Sequence, residues 1–480
     1  LTLQSLIKYS KLLMMSQVFF NQTTLHPLGL AAIVILGCAM LLLPRRLALL
    51  PMIVMACFIA PAQRLVIFTL DFDLLRLMIL FGWLRVLLKD EVRGMIWKPI
   101  DTAILAWGIC GTIAYTILYG TFAAIINRLG WMFDAVGMYF LFRWLIRDWS
   151  DLNWLIRGFI VVSLPVAAAF VVERMTSQNV FAIFGGVPAI TLIREGRLRC
   201  QGAFAHPILA GCFWAALMPL FAAQWWIARK GKVWAMVGLF TSSVIVVTCS
   251  SSTPVAAVLF GILGACLFPL RSQMRLVRWG VVCTILGLHI VMKAPVWHLI
   301  SRVDLVGGST GWHRYHLIDQ AINHVGEWCL IGTRSTAHWG GGLADVTNQY
   351  VLQAVQGGAL KLCLFLAIIA LAFGGIGQRR QMVEGQPERL VLIWAIGLSL
   401  FVHCMVFFAV SYFGQIHMLW YLTLAIAANV TPITKGRRAI TTKGQTWQSI
   451  VRPRARPATA TARSSQPLAD PITIHSSVDG

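Results

Sequence analysis

The chain has 480 residues, 58% of them hydrophobic and only 12% charged, with a formal net charge of +22 at pH 7. Soluble domains carry nearer a quarter charged residues, so this composition excludes a water-soluble globular protein. The basic residues sit in short connections between apolar runs, which is the positive-inside pattern of a polytopic membrane protein and not a nucleic-acid-binding surface.

Residues 1–27 are set apart as an N-terminal segment. The chain opens on Leu1 rather than methionine, which points to a missing start or an alternative start codon, and no cleavable signal peptide is evident. Apolar spans follow at 28–43, 47–62, 74–88, 101–119, 129–146, 153–173, 204–227, 233–249, 253–270, 277–293, 347–374, 389–412 and 415–433, and Arg64–Asp73 could extend the third. A helix needs about 17–25 apolar residues to cross a hydrocarbon core of about 30 Å. Backbone in lipid must satisfy its own hydrogen bonds, and these runs are continuous rather than alternating. The expected fold is an all-α polytopic membrane bundle of about 12–13 transmembrane helices over residues 28–433. The tail, 434–480, is rich in Arg, Thr, Ser, Ala and Pro and is expected to be disordered and cytoplasmic.

Placing the basic connections Arg229–Lys232, Arg271–Arg278 and Arg379–Arg389 inside puts two polar loops outside on one face, at about 174–203 and 294–346. The longer loop holds five of the eleven histidines. A bilayer protein needs no such segment merely to stay in lipid, so chemistry on a polar substrate is expected here. Eleven cysteines show no CxxC spacing, and most lie in apolar runs as small core residues. Cys200 and Cys329 fall in the two external loops, where they could pair, although two unpaired thiols is the preferred reading.

Within the longer loop, Gly311–Val325 reads as one helix of about four turns. Leu317, Ile318, Ala321, Ile322 and Val325 form its apolar face, and Arg314 falls near the centre of that face. An inward arginine is costly unless it meets an anion, which is either an internal carboxylate or an anionic group of the substrate. Trp312 beside it joins the candidate binding set. In the shorter loop, Arg194, Arg197 and Arg199 stand at the outer boundary, where the charge rule does not ask for them. Guanidinium forks grip phosphate bidentately, so a lipid-linked phosphate or pyrophosphate is one reading and headgroup snorkelling the other. Gln201, Gly202 and the pair His206-Pro207 follow, with His206 read either as an N-terminal structural residue or as a site residue. Near the next span, Asp345, Thr347 and Asn348 are N-cap types, and His338 and Asp345, with Glu327 behind them, are the candidates for taking a proton from an alcohol. No HExxH or Cys/His zinc spacing and no Walker A loop occurs, so neither a metal centre nor a cofactor is expected.

Three segments together resemble the O-antigen ligase and polymerase superfamily of bacterial envelope enzymes. An Arg-x-x-Gly-x-x-x-His-Pro pattern reads here as Arg199, Gly202, His206 and Pro207. An arginine-bearing loop helix reads as GWHRYHLIDQAI, followed by EWCLIGT. A His-Asn-x-Tyr pattern reads as Thr347, Asn348, Gln349 and Tyr350, with Gly357 and Gly358 downstream. Thr347 stands where the family has histidine, so that role does not transfer, and His338 is the nearest substitute.

The resemblance implies a GT-C-like bundle with a large periplasmic loop in the bacterial inner membrane. It implies metal-independent glycosyl transfer from an undecaprenyl-pyrophosphate-linked glycan to an acceptor glycan or lipid, as a polymerase for an exopolysaccharide or as a ligase, with other polysaccharide-assembly proteins as candidate partners. Arg199 and Arg314 would stabilise the departing pyrophosphate, His338 would act as base, and Arg194, Arg197, Gln201, His206, Trp312, Asp345 and Asn348 would bind substrate. The rivals are a transporter or flippase of lipid-linked glycans, for which Asp134, His289 and His403 are the mid-span candidates, and a non-catalytic assembly subunit.

Overall fold

The computed structural model describes residues 23–68, 70–227, 231–302 and 311–430. The basic tail, and most of the N-terminal segment, lie outside the described residues. What is described is a helical bundle with two short hairpins. Its helices are α1 (Pro27–Leu42), α2 (Leu50–Phe58), α3 (Leu74–Leu88), α4 (Pro99–Tyr119), α5 (Phe122–Leu145), α6 (Trp149–Thr176), α7 (Pro207–Ile227) and α8 (Gly231–Thr248). Then come α9 (Ser252–Cys266), α10 (Met274–Val291), α11 (Gly311–Asn323), α12 (Val325–Trp328), α13 (Gln349–Val355), α14 (Gly358–Met382), α15 (Pro387–Val406) and α16 (Ile416–Val430). Among the described residues, seven helices are long and apolar enough to cross a membrane: 99–119, 149–176, 207–227, 231–248, 268–291, 358–382 and 387–406. The chain is therefore an all-α polytopic membrane protein.

Local chemistry sets the helix starts. Asp73 accepts from the Arg76 N–H to open α3, Thr121 accepts from Ala124 to open α5, and Asp148 with Asp151 forms a reciprocal box at the start of α6. The centre of the bundle is α7, whose Phe213, Trp214, Ala216 and Phe221 are all fully buried. By contrast α10 buries none of its residues, as expected of a helix wrapped in lipid.

Hydrogen bonds tie the connections into two ends. At one end Lys98 donates to the Ala428 carbonyl at 2.5 Å, Arg45 reaches Asp151 at 2.6 Å and Arg271 reaches Glu384 at 2.8 Å. At the other, hereafter the loop end, the Gln415 amide donates to the Ala203 carbonyl at 2.7 Å, and the Cys200 N–H to the Thr248 carbonyl at 3.2 Å. There also the Tyr119 hydroxyl donates to the Arg334 carbonyl at 3.1 Å. Both polar loops belong to this end.

Three expectations are corrected. Arg64–Asp73 does not extend the third span: Arg64–Ile67 (β1) and Leu70–Asp73 (β2) pair antiparallel, Arg64 opposite Asp73. The alternation of Arg64, Val66, Asp71 and Asp73 suits a hairpin closed by an Arg64–Asp71 ion pair at 2.7 Å. The expected loop helix to Val325 stops at Asn323, and Ile322 and Val325 of its apolar face are exposed, leaving Leu317 and Ala321 as the buried pair.

The expected span 347–374 is broken into α13 and α14 at Gly357-Gly358. The break is a crossing point. The Thr333 N–H donates to the Val355 carbonyl at 2.8 Å and the Ala359 N–H to the Cys329 carbonyl at 2.7 Å. Gly332 and Gly358 both have positive φ, +97° and +75°. A Cβ on Gly332 would lie 2.3 Å from the Val355 oxygen, and one on Gly358 2.2 Å from the Leu330 oxygen. Only glycine lets the two backbones pass this closely.

Candidate functional site

Arg199 stands at the foot of a second hairpin, Ile193–Arg194 (β3) against Arg197–Leu198 (β4). Its own N–H donates to the Leu192 carbonyl at 2.9 Å. The hairpin is held by Glu173, fully buried in the last turn of α6. Glu173 accepts from the Thr191 hydroxyl and from the Gln201 and Gly202 N–H groups, each at 3.0 Å. Gly202 has φ +58°, and a Cβ there would lie 2.3 Å from the Phe170 ring, so the turn seats directly on α6. This clamp turns Arg199 inward to 6% exposure.

The Arg199 Nε has no hydrogen-bond partner among the described residues, and no carboxylate there forms an ion pair with it. Glu173 forms no ion pair with it, its oxygens accepting instead from Thr191, Gln201 and Gly202. Burial, and then the nearby Arg194 charge, push the Arg199 guanidinium below its ordinary range. The expected three-arginine cluster is thus one buried arginine with two exposed neighbours. Arg194 is exposed and lies 3.8 Å from Glu195, and Arg197 is exposed at the hairpin turn.

Arg314 is buried to 8% exposure on α11, on the face that its helical phase predicts. Its Nε donates to the Ala409 carbonyl and its Nη2 to the Thr253 hydroxyl, both at 3.0 Å. Neither acceptor is charged, and no ion pair reaches Arg314 among the described residues. Burial lowers its pKa. Both arginines lie near the junction of α8 and α9. The N–H of Cys200, next to Arg199, donates to the Thr248 carbonyl, and Arg314 is bonded to Thr253 in the first turn of α9. They come from two separate loops, and among the described residues neither pairs with a carboxylate.

Two other buried arginines, Arg143 and Arg85, differ. Arg143 pairs with Asp101 at 2.9 Å, where Asp101 also accepts from the Tyr139 hydroxyl, and Arg85 pairs with Glu91 at 2.9 Å. Those are structural ion pairs, each cation with its carboxylate. Desolvating a guanidinium without one is expensive, so the arrangement at Arg199 and Arg314 suits an anion supplied from outside the chain.

His206 caps α7: its Nδ1 accepts from the Ile208 N–H at 3.1 Å. Burial, then the charges of Arg199 and Arg194, push its pKa down to about 4. It is therefore neutral at pH 7 and a poor general acid. Because the folded value lies below the ordinary 6.5, the stability tied to neutral His206 is complete above pH 6.5 and is lost as pH falls towards 4. His206→Asn keeps a capping oxygen but does not titrate there. Thermal melts from pH 7 to 4.5 should show a smaller drop in Tm for this variant than for the parent, and equal slopes would refute the assignment.

The remaining candidates disperse. Gln201 turns its amide to the Phe204 carbonyl at 3.1 Å. Trp312 is exposed and stacks on His316 at 4.7 Å. Asp345 is exposed. Asn348, almost fully buried, caps α13 by accepting from the Tyr350 and Val351 N–H groups, and its amide donates to the Phe408 carbonyl at 3.3 Å. Asn348 thus grips the same 407–409 turn that receives Arg314. Thr347, in the position of the family histidine, has a buried hydroxyl oxygen with no partner among the described residues.

The structure brings His338 to Glu327, its Nε2 lying 2.7 Å from a carboxylate oxygen that also accepts from the Trp339 indole at 3.1 Å. Those two bonds, the Trp339 one foremost, hold Glu327 below the usual carboxylate range. The pair is exposed, and among the described residues no hydrogen bond links it to either arginine. Cys200 is buried and Cys329 exposed, and both are unpaired. A cavity of about 70 Å³ lined by Asp73, Trp131, Asp134, His417 and Tyr421 lies beside the Arg76–Asp134 ion pair, apart from both arginines.

Sequence reasoning missed Glu173, Thr253 and the 407–409 turn. Glu173 did carry a signal. Helix C-termini favour cations, so a carboxylate in the last turn of an apolar span asks for a reason. Thr253 and Ala409 are ordinary residues whose role exists only in three dimensions. Among the described residues, no group of three or more His, Cys, Asp or Glu side chains could hold a metal ion. No family model matches the chain, and no curated protein matches it.

Proposed function

We propose that the chain is an inner-membrane glycosyltransferase of the O-antigen ligase and polymerase type, working at its periplasmic face without a metal. It would transfer or polymerise glycan from an undecaprenyl-pyrophosphate donor, in exopolysaccharide or O-antigen assembly. The fold would be GT-C-like with about 12–13 crossings. The observation that carries this reading is that Arg199 and Arg314, two buried guanidiniums that pair with no carboxylate among the described residues, come from two separate loops to the neighbourhood of the α8–α9 junction.

In the reaction an acceptor hydroxyl attacks the anomeric carbon, the bond to the pyrophosphate oxygen breaks, and the lipid pyrophosphate leaves with the electron pair. The hydroxyl proton passes to a base or to water. The developing charge is on the leaving group, so preorganised cations supply most of the help. Pyrophosphate leaves readily, so a strong base at the acceptor is not essential. That tolerates Thr347 in place of histidine and an exposed His338 paired with Glu327.

A flippase would need polar groups along a route through the span centres. The candidates for such a route are otherwise engaged. Asp134 accepts two bonds from Arg76, and His403 shares a 2.6 Å hydrogen bond with the Tyr412 hydroxyl. His289 stacks on Trp297 at the end of α10.

Purified protein given only undecaprenyl-pyrophosphate oligosaccharide tests the proposal. Chain lengthening identifies a polymerase, and product formed only after addition of a lipid core identifies a ligase. Movement of donor across a vesicle membrane with no new glycosidic bond would favour the flippase.

A further inference from the structure

A second group of cations lies at the loop end, between α4, α5 and α14, and the chemistry above does not use it. Lys361, in the first turn of α14, is completely buried, and its Nζ has no hydrogen-bond partner among the described residues. The ammonium lies 4.8 Å from the centre of the Trp131 ring and 5.9 Å from that of Trp107. Arg128, in the second turn of α5, is 6% exposed, and its Nε also lacks a partner. Its guanidinium sits 3.7 Å over the Tyr115 ring and 5.5 Å from Trp131. Two cations thus share one indole, and among the described residues no carboxylate forms an ion pair with either.

The lysine is accommodated by design of the backbone around it. A Cβ on Gly111 would lie 2.9 Å from the Lys361 Cε, and one on Gly357 2.4 Å from its Cδ. The two glycines hollow out the space for the stem. A lysine one turn inside a helix could otherwise extend towards water, as long basic side chains do near helix ends. Contact with aromatic faces offsets part of the desolvation cost, but two like charges beside one ring add to it. A cation held inside a membrane helix bundle at such cost points to a ligand of opposite charge.

We propose that Arg128 and Lys361 form a second anion subsite, which takes a carboxylate-bearing sugar of the growing or accepting glycan. The proposal rests on the glycan-transfer reading and extends it to the class of sugar. The walls fit that chemistry. Trp107 and Trp131 lie 4.8 Å apart, and Trp107 is fixed by its indole N–H to the Gln353 side-chain oxygen at 3.0 Å. Flat apolar faces with a few fixed polar groups suit a sugar ring, and the two cations suit its carboxylate. The cluster leads outwards through Tyr115 and Tyr119, whose rings lie 4.3 Å apart, to Arg334 of the long loop. It therefore lies at the same end of the bundle as Arg199 and Arg314.

The test uses the full chain in nanodiscs of neutral lipid, with a glucuronate-containing disaccharide, its neutral glucose counterpart and undecaprenyl pyrophosphate as probes. The acidic disaccharide should bind at least about tenfold more tightly than the neutral one. Lys361→Met and Arg128→Gln should each remove that preference while leaving undecaprenyl pyrophosphate binding intact, and Arg199→Ala should do the reverse. Lys361→Met should also melt no lower than the parent, because it removes an uncompensated buried charge, whereas a merely structural lysine would cost stability. Equal binding of the two disaccharides overturns the proposal. So does an unchanged preference in Lys361→Met, or a site filled only when phosphatidylglycerol is added to the nanodisc. Acidic preference without any chain lengthening would leave the subsite standing and bring down the transferase reading alone.

Discussion

On the proposed function, Arg199→Ala and Arg314→Ala should each reduce glycan assembly by at least about 100-fold with protein abundance unchanged, since removing one preorganised charge donor at a developing anion costs about 10²–10³ in rate. Arg199→Lys and Arg314→Lys recover only part of the loss, because lysine keeps the charge but not the planar fork. The control lies in the same molecule. Arg143→Ala strands the buried carboxylate of Asp101 and should lose about 3–5 kcal/mol of stability. Arg199→Ala strands no carboxylate and should melt no lower than the parent. Polymer length on gels and melting curves for the three alanine variants read this directly. Normal polymer from either site variant would end the pyrophosphate assignment.

Gly332→Ala and Gly358→Ala fail in the opposite way, with abundance and activity lost together. Each substitution combines a positive φ with a Cβ driven against a backbone carbonyl, at 2.3 and 2.2 Å. A carbonyl in this crossing cannot swing aside as a side-chain tip would. The left-handed conformation alone costs an ordinary residue about 1–2 kcal/mol, and the collision should bring the total to about 3 kcal/mol or more. Gly120→Ala is the matched comparison, since Gly120 is left-handed, with φ +65°, but has open space around the added Cβ. Fluorescence-detected size-exclusion after stepwise heating should place both crossing variants well below Gly120→Ala, and parity among the three would refute the close-approach argument.

Helical phase sufficed to put Arg314 on the buried side, because a single periodic helix fixes its face without reference to the rest of the chain. Asn348 was legible as a cap for the same local reason. The fate of the Arg194–Arg199 group was not. Which arginine turns inward depends on a two-residue hairpin and on Glu173, a carboxylate that looks from the sequence like part of an apolar span. The break between α13 and α14 escaped notice because Gly357 and Gly358 sit inside a stretch read as one span, and hydropathy is blind to a crossing backbone. His338 attracted attention as the nearest histidine to an empty motif position, yet three-dimensional proximity gave it to Glu327. Membrane class was readable from composition, whereas the bond from Arg314 to Thr253 needed the fold.

The clamp at Glu173 has an electrolyte consequence. That carboxylate is engaged by Thr191, Gln201 and Gly202, and among the described residues no other pairs with either guanidinium. If the two arginines bind the proposed donor, chloride or inorganic phosphate should compete for them, so apparent donor affinity should fall as ionic strength rises. The lipid pyrophosphate freed by transfer would carry more charge than the donor and would hold the same two residues. Turnover would then be paced by product departure into the bilayer, with a rapid first round followed by a slower steady state.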